Sequence, residues 1–255
     1  MAKTKIKFRN INKSFGDKEI IKDLSFEIEE GQFITILGSS GSGKTTTLKM
    51  VNRLIEPNSG QIEINDKEIK EYDLIELRRQ IGYVVQQIGL FPHITIEKNI
   101  ATVPELLGWE PEKIKERVTE LMALIQLPYS EYAHRYPKQL SGGQQQRIGV
   151  ARALAANPQI MLLDEPFGSV DAITRKELQS QIKAIHAELD SKTFLFVTHD
   201  INEAFLLGDR VMIMDKGRIE QYDTPQNIIK NPKGEFVNSL LDTVREEESL
   251  WSELT

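Results

Sequence analysis

Ile6 and Phe8 alternate with Lys5, Lys7 and Arg9, a period of two that predicts a first strand with one buried face. Ile20 to Ile28 predicts a second strand, with Leu24, Phe26 and Ile28 sharing a face. Gly31 turns the chain into Phe33-Ile34-Thr35-Ile36-Leu37, an apolar run that reads as a buried strand. Thr45 to Leu54 reads as a helix, Pro57-Asn58-Ser59-Gly60 as a turn and Gln61 to Ile64 as a short strand. Leu74 to Gln80 follows as a helix and Ile81 to Val85 as a strand. From Gln87 to Pro158 the pattern changes: Ile114, Val118, Leu121, Met122 and Ile125 recur at helical spacing and no β-rich run interrupts them. After Pro158 the earlier pattern returns. Ile160 to Leu163 is a continuous apolar strand, and Asp171 to Leu189 a helix with Leu178, Ile182, Ile185 and Leu189 on one face. Thr193 to Val197 is the next strand. Arg210 to Asp215 and Arg218 to Gln221 form a hairpin around Lys216-Gly217. Strands alternating with helices predict an α/β fold with a mainly parallel sheet covered on both faces.

Composition narrows the class without changing this picture. The 255 residues suffice for one large or two small domains, and 40% hydrophobic with 27% charged residues is ordinary for a globular chain. A net charge of −6 argues against nucleic acid as the main partner. With no cysteine, disulfide and thiolate chemistry are excluded, which is compatible with a reducing cytosol. Met1 to Asn10 lacks the apolar core of a signal peptide, and no run approaches the roughly 18 apolar residues of a membrane span. The stretch from Glu246 to Glu253 is acidic and reads as a solvated or frayed tail.

Three segments carry candidate chemistry. Gly38-Ser39-Ser40-Gly41-Ser42-Gly43-Lys44-Thr45-Thr46 is a complete G-x-x-x-x-G-K-T phosphate loop between a strand and a helix. Its glycines let the backbone curl until several N–H groups face one phosphate cluster. Lys44 then reaches the β- and γ-phosphates, and the Thr45 hydroxyl can ligate Mg²⁺. Ile160-Met161-Leu162-Leu163-Asp164-Glu165 is a buried strand ending in carboxylates. Asp164 is placed for the Mg²⁺ shell, and Glu165 for orienting or deprotonating a water that attacks the γ-phosphate. Leu140-Ser141-Gly142-Gly143-Gln144-Gln145-Gln146-Arg147 opens a helix with Ser141 as N-cap, and its two glycines permit close approach of an anion. The phosphate loop alone says only nucleoside triphosphate, and because no His/Cys/Asp cluster has transition-metal spacing, Mg²⁺ is the only metal expected.

Together these segments resemble those of ABC-type ATPases, and the likeness covers about residues 3–240. It implies a P-loop NTPase (RecA-like) α/β fold: a mostly parallel sheet core, an N-terminal antiparallel β subdomain and an inserted α-helical subdomain. The implied division is 1–86 with 158–230 as nucleotide-binding core, 87–157 as the helical insertion and 231–255 as a C-terminal helical, acidic tail. The resemblance assigns Gln86 to a glutamine loop that senses Mg²⁺ and water, Asp171 to a loop contacting the partner copy, His199 to a γ-phosphate switch and Phe15 to an adenine stack. It further implies a head-to-tail dimer in which ATP lies between the Lys44 loop of one copy and Ser141–Gln144 of the other. His93, His134 and His186 are read as loop or surface residues.

Asn52-Arg53-Leu54-Ile55-Glu56-Pro57, the run from Ile81 to His93, Leu77-Arg78-Arg79 and Ala151 to Ala155 look most similar to importer ATPases for osmoprotectants such as glycine betaine, carnitine and choline. That implies integral membrane permease subunits as partners, a solute-binding protein reached through them, and a peripheral place on the cytoplasmic face. Ser169-Val170 departs from the Ala-Leu usual before the loop aspartate. Many members of that group also carry a C-terminal pair of CBS modules; this chain ends at Thr255, and ionic-strength gating through such modules is not expected. The apolar stretch Gln87 to Pro92 is expected either to line a groove for a cytoplasmic helix of the permease or to be local core. The alternatives are a soluble ABC-type scaffold ATPase and an importer ATPase for another amino-acid-like solute.

Overall fold

The computed structural model describes residues 3–253 apart from 87, 88, 169 and 190, with side chains as far as 246. The chain forms two compact units, 1–73 with 195–255, and 74–194. The first unit begins with β1 (Thr4–Phe15), β2 (Lys18–Glu29), β3 (Phe33–Gly38), α1 (Lys44–Val51), β4 (Ser59–Ile64) and β5 (Lys67–Glu68). The second holds α2 (Leu74–Arg79), β6 (Ile81–Val84), α3 (Ile96–Leu106), α4 (Pro111–Leu124), α5 (Tyr129–Tyr132), α6 (Gly142–Leu154), β7 (Ile160–Asp164) and α7 (Ala172–Glu188). The division falls inside β8 (Thr193–Thr198). The first unit then resumes with α8 (Ile201–Leu207), β9 (Arg210–Asp215), β10 (Arg218–Asp223), α9 (Pro225–Lys230) and α10 (Gly234–Glu253).

One sheet of the first unit runs β2-β1-β4-β5 and is antiparallel throughout. Its register sets Ile6 against Ile28 and Ile64, and Phe8 against Phe26 and Ile62, so the period-two apolar positions of three strands meet on one face. The Phe8 and Phe26 rings stack with centroids 4.4 Å apart. Of the second set of strands, β10-β9-β3-β8 lie side by side in the first unit and β7-β6 in the second. β3 pairs with β9 in parallel and β6 with β7 in parallel, while β9 and β10 form the expected hairpin. Lys216 and Gly217 both carry positive φ (44° and 83°), the two-residue turn whose twist matches the strands.

The helix expected over Thr45–Leu54 stops at Val51. Arg53 takes a left-handed φ of 52°, and the N–H groups of Leu54 and Ile55 fold back onto the Lys49 carbonyl. This closure satisfies carbonyls at the helix end that periodicity alone does not announce. In the second unit α3 packs on α4 and α6, and Val118, Leu121, Met122 and Ile125 are buried there as their spacing predicts. Arg117 donates to the carbonyls of Leu154 (2.9 Å) and Ala155 (3.4 Å), placing a cation at the C-terminus of α6.

Ahead of the acidic stretch expected as a solvated tail, the C-terminal helix is docked. Val237 and Leu241 of α10 are buried with Leu37, Ala204, Val211, Ile213 and Ile228. The acidic side chains expected to be solvated lie, beyond Glu246, outside the described residues. Among the described residues no helix is long and apolar enough to cross a membrane.

Candidate active site

In the first unit β3 delivers its last residue, Gly38, into the phosphate loop. A Cβ on Gly38 would sit 2.0 Å from the Met214 carbonyl oxygen, which closes that position to any side chain, and one on Gly43 would press on Ile21 Cδ1 at 2.4 Å. Gly41 and Gly43 also take φ of 78° and 101°, which glycine adopts at no steric cost. The Lys44 ammonium, 6% exposed, donates to the carbonyls of Gly38 (2.9 Å) and Ser39 (3.0 Å), so the loop folds around its own lysine. Ser39 Oγ donates to Asp215 at 2.9 Å. Ser39, Ser40 and Gly41 are exposed; Thr45 and Thr46 are half-buried. The Ser42 hydroxyl is buried without a hydrogen-bond partner. No side chain caps the N-terminus of α1 and no acidic residue stands in its first turn. A helix N-terminus without a side-chain cap, a buried hydroxyl and a cation therefore share one short segment, the composition of an anion site.

Phe15 ends β1 with its ring half exposed and the Lys13 ammonium 4.9 Å above it. His199 is exposed on the turn between β8 and α8. Thr198 and Glu203, near it on the chain and marked by no motif, share a side-chain hydrogen bond of 2.6 Å.

The second unit presents the carboxylates. Asp164 closes β7, 6% exposed, and accepts a hydrogen bond of 3.2 Å from the Tyr83 hydroxyl. Burial, and then the adjacent Asp164 carboxylate, push the Tyr83 phenol above its ordinary range, so it stays protonated as a donor. Tyr83 was not singled out from sequence. The available sequence signal was a hydroxyl-bearing tyrosine inside the apolar run from Ile81 to Val85. Glu165 follows with a left-handed φ of 45°, an uncommon and costly conformation for glutamate, of the kind that clusters at functional sites. The Gln86 amide Nε2 donates to Glu165 Oε2 at 3.3 Å, which leaves the amide oxygen as an acceptor. Within this unit Gln86 and Asp164 thus offer amide and carboxylate oxygens, and in the first unit Thr45 offers a hydroxyl; each is a hard donor of the kind Mg²⁺ takes.

Ser141 and Gln144 at the start of α6 form a reciprocal capping box: Ser141 Oγ accepts from Gln144 N (3.3 Å), and Gln144 Oε1 accepts from Ser141 N (2.9 Å). The adjacent glycines differ. A Cβ on Gly142 would meet nothing within 4 Å, whereas one on Gly143 would lie 2.4 Å from Thr174 Cγ2 of α7. Asp171 is the N-cap of α7, accepting from the N–H groups of Ile173 and Thr174, both at 3.1 Å. The Thr174 backbone N–H first, then its side chain, hold the Asp171 carboxyl below the usual range.

A family model described as "ABC transporter" matches residues 21–168. The chain belongs to the ABC transporter family. It is 53% identical to the carnitine transport ATP-binding protein OpuCA of Listeria monocytogenes, over 92% of this chain and 59% of that protein. To the glycine betaine/carnitine/choline transport ATP-binding protein OpuCA of Bacillus subtilis it is 52% identical, over 94% of this chain and 63% of that protein. It therefore spans about three fifths of the length of these ABC relatives. Among solved structures it resembles the ATP-binding cassette MJ0796, a dimer bound to ADP and Pi. The TM-score is 0.74 and the identity 34%, over 86% of this chain and 98% of that one. The expected P-loop NTPase fold, with its antiparallel N-terminal sheet, accords with this ABC family membership.

Proposed function

We propose that this chain binds and hydrolyses ATP with Mg²⁺, as the energy-supplying subunit of a membrane importer for a small quaternary amine such as carnitine, choline or glycine betaine. The phosphate loop carries the ATP part of this reading, with its self-held Lys44, its orphan Ser42 hydroxyl and the uncapped start of α1. The solute class is supported by the names of the two relatives at about half identity.

In this reading Gly38 to Thr46 wrap the phosphates, and Lys44 turns from the loop carbonyls to the β- and γ-phosphates. Thr45, Gln86 and Asp164 hold Mg²⁺, which when bound neutralises charge on the phosphate oxygens. Phe15 stacks on adenine, and His199 touches the γ-phosphate. Glu165, steadied by Gln86, orients water and takes its proton while the water oxygen bonds to the γ-phosphorus. The bond from that phosphorus to the β–γ bridging oxygen breaks, leaving ADP and phosphate.

A second copy, placed head to tail, supplies Ser141, Gly142, Gly143 and Gln144 over the γ-phosphate and Asp171 at the joint; the empty space above Gly142 supports such an approach. Residues 1–86 with 158–230 act as the core, 87–157 as the relay to the permease and 231–255 as the C-terminal element. A cavity of about 350 Å³ within the second unit, lined by Arg78, Arg79, Tyr83, Phe91 and Arg152 among others, suits a cytoplasmic helix of the permease. Of the stretch expected to line it, Gln87 and Ile88 lie outside the described residues. The chain then sits at the cytoplasmic face of the membrane, and the solute-binding protein acts on it only through the permease.

Co-purification with the permease and reconstitution in vesicles test the whole. Wild type should drive uptake of labelled carnitine or choline with ATP consumption. Glu165→Gln should bind ATP, accumulate as a dimer and turn over almost nothing. Undiminished hydrolysis by that variant rejects the role of Glu165, and a soluble complex in place of a membrane partner rejects the transport reading.

A further inference from the structure

We infer that Glu203 is a positioning residue for His199, acting through the Thr198 hydroxyl; this rests on the phosphate-contacting role proposed for His199. Glu203 lies on α8 and is only 4% exposed, where a carboxylate is costly unless its oxygens are bonded. Its Oε2 accepts the Thr198 hydroxyl proton at 2.6 Å, the short separation of an O–H···O⁻ bond. The same hydroxyl oxygen accepts the Asp200 N–H at 3.0 Å. Thr198 is 2% exposed at the end of β8, so the residues on both sides of exposed His199 are tied to one buried hydroxyl. The Asp200 carboxylate accepts in turn from the N–H groups of Asn202 (2.8 Å) and Glu203 (3.2 Å), closing a ring of bonds around the turn.

That ring is anchored to the strand that feeds the phosphate loop. Thr35 of β3, fully buried, donates its hydroxyl proton to the Ala204 carbonyl at 3.0 Å. Gly208, just past α8, approaches so closely that a Cβ there would lie 2.6 Å from Thr35 Oγ1. Strand β3 ends at Gly38, six residues before the Lys44 whose ammonium its carbonyl holds. Within this unit the lysine loop and the histidine turn are thus referred to one rigid element, and the Glu203–Thr198 bond is the joint on the histidine side. A hydrogen-bonded carboxylate is short, directional and stiff, whereas an apolar residue at 203 would leave the Thr198 hydroxyl, and with it the Asp200 N–H, without a fixed partner.

The test uses the full chain assembled with its permease. Glu203→Ala should lower kcat for ATP by about tenfold to a hundredfold, the loss expected when a reacting group is misplaced by about 1 Å. KM for ATP should stay unchanged, because the Lys44 loop is untouched. Thr198→Val, which keeps the side-chain shape and removes only the hydroxyl, should give the same split. The double variant should fall no further than the worse single one, and Thr198→Ser should restore turnover. The His199 imidazole NMR resonances should shift in Glu203→Ala and Thr198→Val and return in Thr198→Ser. A merely stabilising pair would move the melting temperature and leave those resonances alone. Losses that multiply in the double variant, a raised KM with kcat intact, or His199 resonances identical in every variant would each overturn the inference. His199→Ala separates it from the reading beneath: if that variant loses turnover while Thr198→Val and Glu203→Ala keep it, the positioning role alone fails. If His199→Ala keeps full turnover, the phosphate role of His199 fails, and the imidazole spectra still decide the positioning.

Discussion

The two glycines that open α6 should respond oppositely to alanine. At Gly142 the new methyl meets nothing within 4 Å. The substitution then mainly removes the backbone freedom of glycine in a helix, worth about 0.5–1 kcal/mol of stabilisation in an interior and less at a first turn. At Gly143 the methyl would stand 2.4 Å from Thr174 Cγ2, against the roughly 3.5–4 Å of a relaxed carbon–carbon contact. Overpacking of this kind costs about 1–3 kcal/mol, which exceeds the propensity gain. Stability should therefore separate the two variants by about 1–3 kcal/mol, with Gly142→Ala at or above wild type. At roughly 2–4 °C per kcal/mol for a chain of this size, melting temperatures resolve the difference. Thr174→Ser deletes the obstructing methyl, so Gly143→Ala should regain its loss in that background. ATP turnover should rank the variants differently: Gly142→Ala fills the space proposed for the γ-phosphate of a partner copy, and should slow hydrolysis while melting no lower. Equal destabilisation by both alanines, or no rescue by Thr174→Ser, would refute the packing argument. Full turnover by Gly142→Ala would refute the proposed approach of phosphate.

Two further outcomes follow from the site. Lys44→Ala removes a charge-assisted donor to phosphate and should weaken ATP binding by more than tenfold, read by titration with a fluorescent nucleotide; unchanged affinity would deny the loop its role. The depressed Asp171 carboxyl makes the α7 cap pH-dependent. Its contribution is present above the unfolded value of about 3.9 and is lost as pH falls through the lower folded value. Asp171→Asn keeps an acceptor at the cap without the titration, so the urea midpoint of wild type should fall relative to this variant on acidification below about pH 4. A constant difference across that range would contradict the assigned cause.

Much of this protein was legible in its residues because the relevant physics is local. Period-two alternation in Ile6 and Phe8 foretold a half-buried strand, and unbroken apolar runs foretold β3 and β7. The spacing of Gly38, Gly43 and Lys44 encoded a phosphate loop: the Met214 carbonyl closes Gly38 to larger residues, and Gly43 holds a left-handed φ. Ser141 and Asp171 announced helix starts because their side chains bond their own backbone two or three residues on. What escaped was set by partners distant along the chain. Val237 and Leu241, ahead of the acidic stretch that composition marks as a tail, dock on Leu37 and Val211. Tyr83 meets Asp164 across 81 residues, and Thr35 meets Ala204 across 169; no periodicity records either bond. The short Thr198–Glu203 link is equally silent in the sequence, because a glutamate signals solvent until the fold buries it. Local sequence determined which segments could bind phosphate and which could be strands. Burial, a property of the whole assembled chain, decided which polar groups had to find one another.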